Sequence, residues 1–421
     1  MFRKTTLPNG LRIITTPQQN TEAVTVLVLV GTGSKYEEKR NNGISHFLEH
    51  MYFKGTKKRP DSLSVAETLD RVGGIYNAFT SEDFTGYFAK VESSQFELAL
   101  EWVSDIFLNS TLPEKEIAKE KGVISEEINM RQDHPMEHVQ TLWPKLLYGD
   151  QPAGRDIAGT KESVNSVFRA DLVDYLESQY VAANTIVSIA GRINEAEAIR
   201  MTKKYFSQIR KGTPKAKPRV AEGQDGPAVL LETRSTDQAH ICLGVRSFNV
   251  FHPQRYVQEL LSVIMGEMMS SRLFIEVREK LGLAYYVRTD AEANPDTGYF
   301  LAQAGLDSAR TEKGIETILR EYRKISEKKI SPAELKKAKD NLKGRMVLLL
   351  ESSDAQASFY ASQDLLEKKI LTLKEIFSKI DKVSSSGILE LARNIFRPQN
   401  LNLVVLGPFQ DKEKFQKLLK L

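Results

Sequence analysis

The sequence predicts an α+β protein built from two homologous domains, each a mainly antiparallel β-sheet covered by helices. Three observations support this prediction. The chain of 421 residues is long enough for two domains, and its 41% hydrophobic and 27% charged residues form an ordinary globular composition. Short apolar segments typical of strands alternate with amphipathic helical patterns. The second half of the chain then repeats segments of the first half at a nearly constant spacing.

The internal repeat is visible at both ends and in the middle of each copy. The matched segments are 23–29 with 239–245 and 184–191 with 400–407, both at an offset of 216, and 85–88 with 297–300 at an offset of 212. Matched ends and a matched interior predict two copies of one domain. We therefore expect a first domain at 1–210, a linker at 211–225 and a second domain at 226–421.

The boundary between the copies is marked by a basic segment, residues 203–219, with seven lysines and arginines and no acidic residue. It lacks aromatic residues after Phe206, and its Pro, Lys and Gly content favours a solvated linker over a nucleic-acid patch. The net charge of +4 is small for this length, so neither nucleic acid nor a membrane is predicted as a partner. The single Cys242 excludes an internal disulfide bond. Because no apolar core of a signal peptide follows the N-terminus, we expect a cytoplasmic protein.

Local patterns predict the elements of the first domain. Residues 7–10 (LPNG) are a tight-turn signal followed by a strand at 11–15, so a hairpin begins the chain. Residues 23–31 are apolar on both faces, which predicts a central strand in a covered sheet. The remaining elements are expected as helices at 43–53, 64–72, 96–108, 113–131, 137–147 and 166–179 and as strands at 75–81, 85–91 and 186–191.

The helix predicted at 43–53 (GISHFLEHMYF) contains His46, Glu49 and His50. Histidines at i and i+4 of a helix lie side by side on one face and can bind a single cation, and the glutamate shares that face. The two asparagines that precede the segment can cap this helix. A lone histidine on an apolar face is usually a hydrogen-bonded core residue, but three such groups together are costly to bury without partners. The pattern H-x-x-E-H indicates a zinc held by both histidines, with the glutamate acting on water.

The same five-residue pattern occurs a second time at residues 134–138, HPMEH. Pro135 favours the first position of a helix and disfavours helical geometry at His134, so His134 and His138 would not lie one turn apart. We predict that this copy starts a helix on the surface and binds no metal.

A catalytic zinc usually has a third protein ligand. The helix predicted at 113–131 has an apolar stripe on which Glu120 and Glu127 lie two turns apart, whereas Glu126 points away from it. A buried carboxylate needs a cation, so we predict Glu127 as the third ligand. The same spacing counted from the second histidine pair ends at Lys215, which cannot bind a cation.

These strings resemble the pitrilysin family of metallopeptidases, which includes insulin-degrading enzyme and mitochondrial processing peptidase. The resemblance is strongest in two strings, HFLEH at 46–50 and EKGVISEE at 120–127, and extends to GGIYNAFT at 73–80 and REKLGLAY at 278–285. It implies a zinc-dependent endopeptidase with one zinc ion per chain, held by His46, His50 and Glu127. It also implies Glu49 as the general base and Glu120 as a supporting acidic residue.

The resemblance further implies how peptides or unfolded polypeptides bind. The segment 73–80 is similar to the family's substrate-binding edge strand, which assigns substrate binding to Asn77, Ala78 and Phe79. Arg278 and Tyr285 of the second domain are expected to bind substrate carbonyls and to stabilise the oxyanion. From the residues alone, the arginine is near the end of a helix that stops at Gly282, and the tyrosine is an amphipathic strand residue.

The short, two-domain branch of this family implies that the domains pair as a clamshell and that two chains assemble. A homodimer is the simplest assembly, and a heterodimer with an inactive paralogue is the alternative. At the repeat offset of 216 the metal-site residues correspond to residues that cannot hold the ion: Ser262, Met265, Gly266 and Lys343. Two other functions remain open, a non-catalytic scaffold or partner subunit of the same fold and a metal hydrolase of a non-peptide bond.

Overall fold

The computed structural model describes residues 2–421 and contains two β-sheets, each covered by helices. The predicted α+β class is confirmed. The strands of the first half are β1 (Arg3–Thr6), β2 (Arg12–Pro17), β3 (Ala23–Val30), β4 (Ile75–Thr80), β5 (Thr85–Glu92) and β6 (Thr185–Gly191). Its helices are α1 (Ile44–Met51), α2 (Ser62–Asp70), α3 (Phe96–Asn109), α4 (Glu114–Asp133), α5 (Pro135–Tyr148), α6 (Lys161–Ser166), α7 (Arg169–Gln179) and α8 (Glu195–Tyr205).

The second half contains five strands, seven α-helices and two π-helices, at Phe274–Lys280 and Gln363–Glu367, within the described residues. The strands are β7 (Ala228–Thr233), β8 (Gln238–Arg246), β9 (Ala284–Ala293), β10 (Gly298–Asp307) and β11 (Leu401–Gly407). The α-helices are α9 (Arg255–Met265), α10 (Thr311–Glu327), α11 (Pro332–Leu349), α12 (Ser353–Ser362), α13 (Leu373–Asp381), α14 (Ser385–Ile395) and α15 (Lys412–Leu418).

The two sheets share one strand order. The first is β1-β2-β6-β3-β5-β4 and the second is β7-β11-β8-β10-β9, so they correspond strand for strand once β1 is removed. In each sheet a single pair is parallel, β2 with β6 and β7 with β11, and the other neighbours are antiparallel. The predicted repeat is thus present in the topology of both halves.

The predicted elements of the first half lie close to their expected positions. β3 lies between β6 and β5 and is buried from Val24 to Val30, as its apolar sequence predicted. The N-terminal hairpin turns at Gly10, whose φ of 91° is in the left-handed region that favours glycine, and Gly10 N–H donates to the Leu7 carbonyl at 2.9 Å.

The chain forms two compact units, and each contains a segment from the other half of the sequence. The first unit includes Leu348–Ile370, and the second includes Met130–Gly154. In the first unit, the Thr25 hydroxyl lies 2.8 Å from that of Ser353, and Ala357 of α12 belongs to the apolar core on that face of the sheet. In the second unit, Trp143 of α5 packs in a core with Cys242. The sequence-based boundaries 1–210, 211–225 and 226–421 stay a prediction.

The segment 211–225 contains neither helix nor strand. Its expected solvation is wrong for Lys217, whose side chain is only 17% exposed and forms an ion pair with the buried Asp83. The physical reason is long-range: Asp83 lies in the turn between β4 and β5 and also binds Lys35 at 3.1 Å, so two lysines share one buried carboxylate. Among residues 2–421, the structure contains no helix whose length and apolarity would let it span a membrane.

Candidate active site

The helix α1 carries His46, Glu49 and His50, and four apolar side chains fix it in the core. Ile44, Phe47, Leu48 and Met51 are fully buried. The two imidazole rings lie one turn apart with centroids separated by 4.7 Å, as the i, i+4 spacing predicted.

The N-terminus of α1 is held by Glu37, which the sequence analysis missed. The expected caps, Asn41 and Asn42, do not cap the helix: the N-cap is Gly43, with φ of 95° and no side-chain cap. The Glu37 carboxylate instead accepts hydrogen bonds from Gly43 N–H at 2.7 Å and Ser45 N–H at 2.9 Å. The Asn42 amide donates to the same carboxylate at 2.9 Å. The Glu37 carboxyl group thus satisfies backbone N–H groups at the N-terminus of this short helix.

Burial and hydrogen bonding act in opposite directions on Glu37. Complete burial raises its pKa, because desolvation disfavours the charged form, and the bonds from Gly43, Ser45 and Asn42 partly offset that rise. The carboxylate is retained inside the protein because three donors converge on it.

Glu127 of α4 meets both histidines. Its Oε2 lies 3.4 Å from His46 Nε2 and 3.5 Å from His50 Nε2. One ligand atom from each residue lies within 4.8 Å of the others, and this is the one such group of three found among residues 2–421. Tetrahedral zinc sites with bonds of about 2.0–2.2 Å place neighbouring ligand atoms about 3.4 Å apart. Two imidazoles and a carboxylate at this separation fit a zinc ion.

Glu120 orients one of these imidazoles. The His50 Nδ1–H donates to Glu120 Oε2 at 3.0 Å, which leaves Nε2 directed toward Glu127. The other carboxylate oxygen of Glu120 forms an ion pair with Lys54 Nζ at 2.7 Å. Glu120 is only 3% exposed. A carboxylate that accepts from the remote nitrogen of a metal-binding histidine fixes its tautomer and its ring orientation.

The charges in this cluster alter two pKa values. Burial lowers the pKa of His50, but hydrogen bonds from its ring to Glu120 and Glu127 outweigh that effect and raise it to about 9. Burial raises the pKa of Glu120, but the bonds from His50 and Lys54 outweigh it and lower the value. A metal ion at Nε2 would compete with a proton there, because histidine binds a metal through an unprotonated nitrogen.

Glu49 lies on the same helix and contacts the edge strand β4. Its Oε2 accepts a hydrogen bond from the Thr80 hydroxyl at 2.6 Å. β4 also contains the three residues expected to bind substrate: Asn77 is exposed, Ala78 is buried, and Phe79 is half-buried with its ring centroid 6.1 Å from that of Phe84.

Arg278 and Tyr285 lie together in the second unit. The guanidinium of Arg278, on the π-helix Phe274–Lys280, lies 4.8 Å from the centroid of the Phe274 ring and 5.8 Å from that of Tyr285. Tyr285 is near the start of β9 and is 77% exposed. Gly282 follows the helix with φ of 55°, as expected for a residue that ends a helix.

Comparison with known proteins places this geometry in a family. Residues 12–161 match the model of "Insulinase (Peptidase family M16)", and residues 166–342 match that of the "Peptidase M16 inactive domain". An "uncharacterized zinc protease YmxG" of Bacillus subtilis is 35% identical over 412 residues, which cover 97% of this chain and 98% of that protein. The chain belongs to peptidase family M16.

Two solved structures have a similar fold. The crystal structure of a protease from Helicobacter pylori is similar with a TM-score of 0.89 at 27% identity, covering 97% of this chain and 99% of that one. A peptidase M16 inactive domain from Pseudomonas fluorescens has a TM-score of 0.89 at 16% identity, covering 97% and 98%, and supports the fold alone. The metal-binding candidates His46, His50 and Glu127 all lie in the part matched by the first M16 model.

The second H-x-x-E-H string forms a different structure in this M16 chain. His134 is the exposed N-cap of α5 and Pro135 its first residue, as predicted. The expected surface position is wrong for His138, which is buried because a distant strand supplies a partner: its Nε2 lies 2.9 Å from Glu232 of β7. Its Nδ1 lies 3.3 Å from the Thr141 hydroxyl. Both ring nitrogens of His138 therefore have polar partners within the protein, which is typical of a structural histidine rather than a metal ligand.

The sequence analysis of this M16 chain missed three residues that support the site: Glu37, Lys54 and Thr80. Lys54 lies beyond the end of α1 at Met51, so helical spacing does not predict its contact with Glu120. Thr80 is 31 residues from Glu49, and Glu37 precedes the helix in an irregular segment, so no local period connects either of them to the metal helix.

Proposed function

We propose that this M16 protein is a zinc-dependent endopeptidase that hydrolyses peptides or unfolded polypeptides. The observation that carries the proposal is the convergence of His46 Nε2, His50 Nε2 and Glu127 Oε2 at the spacing of a zinc site, with Glu49 on the same helix. His46, His50 and Glu127 would hold one zinc ion per chain. A bound zinc ion supplies Lewis acidity, which polarises a carbonyl and lowers the pKa of water.

The residues of the chain have distinct tasks in this proposal. Glu49 accepts the proton of the attacking water and returns it to the leaving amine. Glu120 holds His50 in the orientation that directs Nε2 to the ion. Arg278 and Tyr285 would bind substrate carbonyls and stabilise the oxyanion, a role that rests on the family resemblance.

The preference for extended substrates comes from β4. This strand is the outermost one of its sheet, and among residues 2–421 it pairs only with β5. A peptide that adds to the free edge gains main-chain hydrogen bonds along residues such as Asn77, Ala78 and Phe79. An unfolded or flexible chain has extended backbone available to pair with this edge, whereas most backbone of a folded protein is already paired. Folded proteins would therefore be poor substrates.

The assembly and location of the protein belong to the same proposal. We propose a homodimer, with a heterodimer with an inactive paralogue as the alternative, and a cytoplasmic location. The clamshell pairing of the two domains also remains part of the proposal.

Two other functions compete with the peptidase. A non-catalytic scaffold of the same fold would have no need for a second carboxylate, Glu120, that orients His50 from 3.0 Å. A hydrolase of a non-peptide bond could use the same metal residues, but it would not need the free edge of β4. The present geometry therefore favours the peptidase.

The test is the zinc content and peptide hydrolysis of purified wild-type protein and Glu49→Gln. We expect one zinc per chain in both proteins and cleavage of a quenched-fluorescence peptide by the wild type alone. Chelation should stop that cleavage and zinc should restore it. Near-normal hydrolysis by Glu49→Gln would refute Glu49 as the base, and absence of bound zinc from the wild type after zinc dialysis would refute the metal site.

A further inference from the structure

Thr80 lies at the end of β4 and contacts the proposed general base. Its hydroxyl donates a hydrogen bond to Glu49 Oε2 at 2.6 Å, although the two residues are 31 positions apart in the chain. Hydrogen bonds from a hydroxyl to a carboxylate are charge-assisted and typically about 2.5–2.7 Å long. This bond joins the metal helix α1 to the outermost strand of the sheet.

The sheet fixes the position of the Thr80 hydroxyl. β4 pairs with β5 in unbroken register from Ile75 opposite Lys90 to Thr80 opposite Thr85. Immediately after it, Ser81 N–H donates to the Phe84 carbonyl at 2.8 Å and closes the turn. Because threonine is branched at Cβ, its side chain has few rotamers.

The side chain at the other end of this bond, Glu49, has more rotatable bonds than threonine. A glutamate side chain has several rotatable bonds and loses considerable conformational entropy when it is held in one position. The bond from Thr80 holds Oε2 of Glu49 in a defined position. The strand thereby restricts the conformations of this side chain.

The same strand would also order the substrate. Side chains alternate along β4: Tyr76 and Ala78 pack in the core that contains α1, and Phe79 packs in the core on the opposite face. Thr80 shares the face of Tyr76 and Ala78, where Glu49 lies. A peptide bound along the free edge of β4 would pair with the backbone of the same strand whose last residue, Thr80, contacts Glu49.

We propose that Thr80 is a positioning residue for Glu49, through which β4 holds the peptide and the general base in one rigid frame. The inference rests on the proposed peptidase function, since it assigns a task within that reaction. If the bond only stabilised the turn between β4 and β5, loss of the Thr80 hydroxyl would lower stability without a specific effect on turnover.

The test compares Thr80→Val, which has nearly the same shape without the hydroxyl, with Thr80→Ser, which keeps it. For Thr80→Val we expect kcat to fall about 30-fold, the order of effect expected when a hydrogen bond to a charged group is lost. KM, zinc content and the thermal midpoint should stay close to wild type. Thr80→Ser should recover most of kcat.

Thr6→Val is the matched control, because Thr6 is the exposed last residue of β1, the edge strand on the other side of the same sheet. It should leave kcat and KM unchanged. An unchanged kcat in Thr80→Val, or a loss of kcat that Thr80→Ser does not recover, would overturn the proposal. A fall explained by lost zinc or a lowered thermal midpoint would also overturn it.

A second measurement separates this inference from the proposed function. In protein labelled with ¹³C at glutamate carboxylates, the Glu49 resonance is identified by its absence from Glu49→Gln. We expect it to shift in Thr80→Val and to stay near its wild-type position in Thr80→Ser. If the wild type cleaves no peptide, the peptidase function fails, while this shift still decides whether Thr80 positions Glu49. No shift in Thr80→Val would contradict the contact itself.

Discussion

His50 donates its Nδ1–H to Glu120 at 3.0 Å, while its Nε2 lies 3.5 Å from Glu127. Glu120 thus orients the ring, and Glu127 lies beside Nε2 as another proposed ligand of the metal ion. The two glutamates lie seven residues, or about two turns, apart on α4. One helix therefore provides a carboxylate for each nitrogen of the same imidazole.

Removing the orienting carboxylate should weaken metal binding without abolishing it. We expect Glu120→Gln to lower zinc affinity about 10-fold to 100-fold, the usual effect of losing a partner that orients a metal-binding histidine. The dissociation constant is measured by competition with a chromogenic chelator. Glu126→Gln is the control, because Glu126 is exposed on the same helix and should retain wild-type affinity. Equal affinities of the two variants would contradict the role of Glu120.

The two H-x-x-E-H strings should differ in their response to mutation. His50→Ala should lose stoichiometric zinc and all peptide hydrolysis, because only two of three ligands would remain. His134→Ala changes the first histidine of the other string, which is an exposed N-cap, and should retain both zinc and activity. Metal analysis after gel filtration gives the stoichiometry. Loss of zinc from His134→Ala would show that the second string contributes to metal binding.

Cys242 should be unreactive in the native protein. The residue is fully buried in β8, its Sγ lies 3.7 Å from the Val139 carbonyl of α5, and burial raises the pKa of its thiol well above the usual value. We expect iodoacetamide at neutral pH to modify it only after denaturation, as measured by mass spectrometry. Ser94→Cys places a thiol at an exposed position and should be modified in the native protein. Rapid native modification of Cys242 would show that α5 detaches from the second sheet.

The packing of residues 348–370, which include α12, against the first sheet should be stabilised by a buried ion pair. Asp364, just after α12, is 2% exposed and binds Arg12 of β2 at 3.1 Å and Lys4 of β1. Asp364→Ala would leave the largely buried Arg12 without its carboxylate, and we expect the free energy of unfolding to fall by about 3 kcal/mol. Chemical denaturation followed by circular dichroism measures this change.

An exposed ion pair provides the matched comparison. Asp381 is 57% exposed and binds Lys343 at 2.6 Å, so Asp381→Ala should cost less than about 1 kcal/mol. If both variants lose a similar free energy of unfolding, burial does not increase the contribution of the Asp364 ion pair to stability.

Much of the fold was predictable because its signals are local or repeated. The apolar run at 23–31 predicted a central strand, and β3 lies between β6 and β5. The matched segments predicted two copies of one domain, and the two sheets share one strand order. The exchange of α5 and α12 between the halves has no such signal, since a helix's apolar face does not specify which sheet will cover it.

The sequence by itself determined the pairing of His46 with His50, because four residues make about one turn of any α-helix. It also indicated Glu127, since periodicity placed that carboxylate on an apolar stripe where it needs a cation. Only the tertiary structure decided which groups surround them: Glu37 at the N-terminus of α1, Lys54 at Glu120, Thr80 at Glu49, and Glu232 at the second histidine string. These contacts join elements that are distant in the chain or not part of one regular helix, and a hydrogen bond between two such elements leaves no period in the sequence.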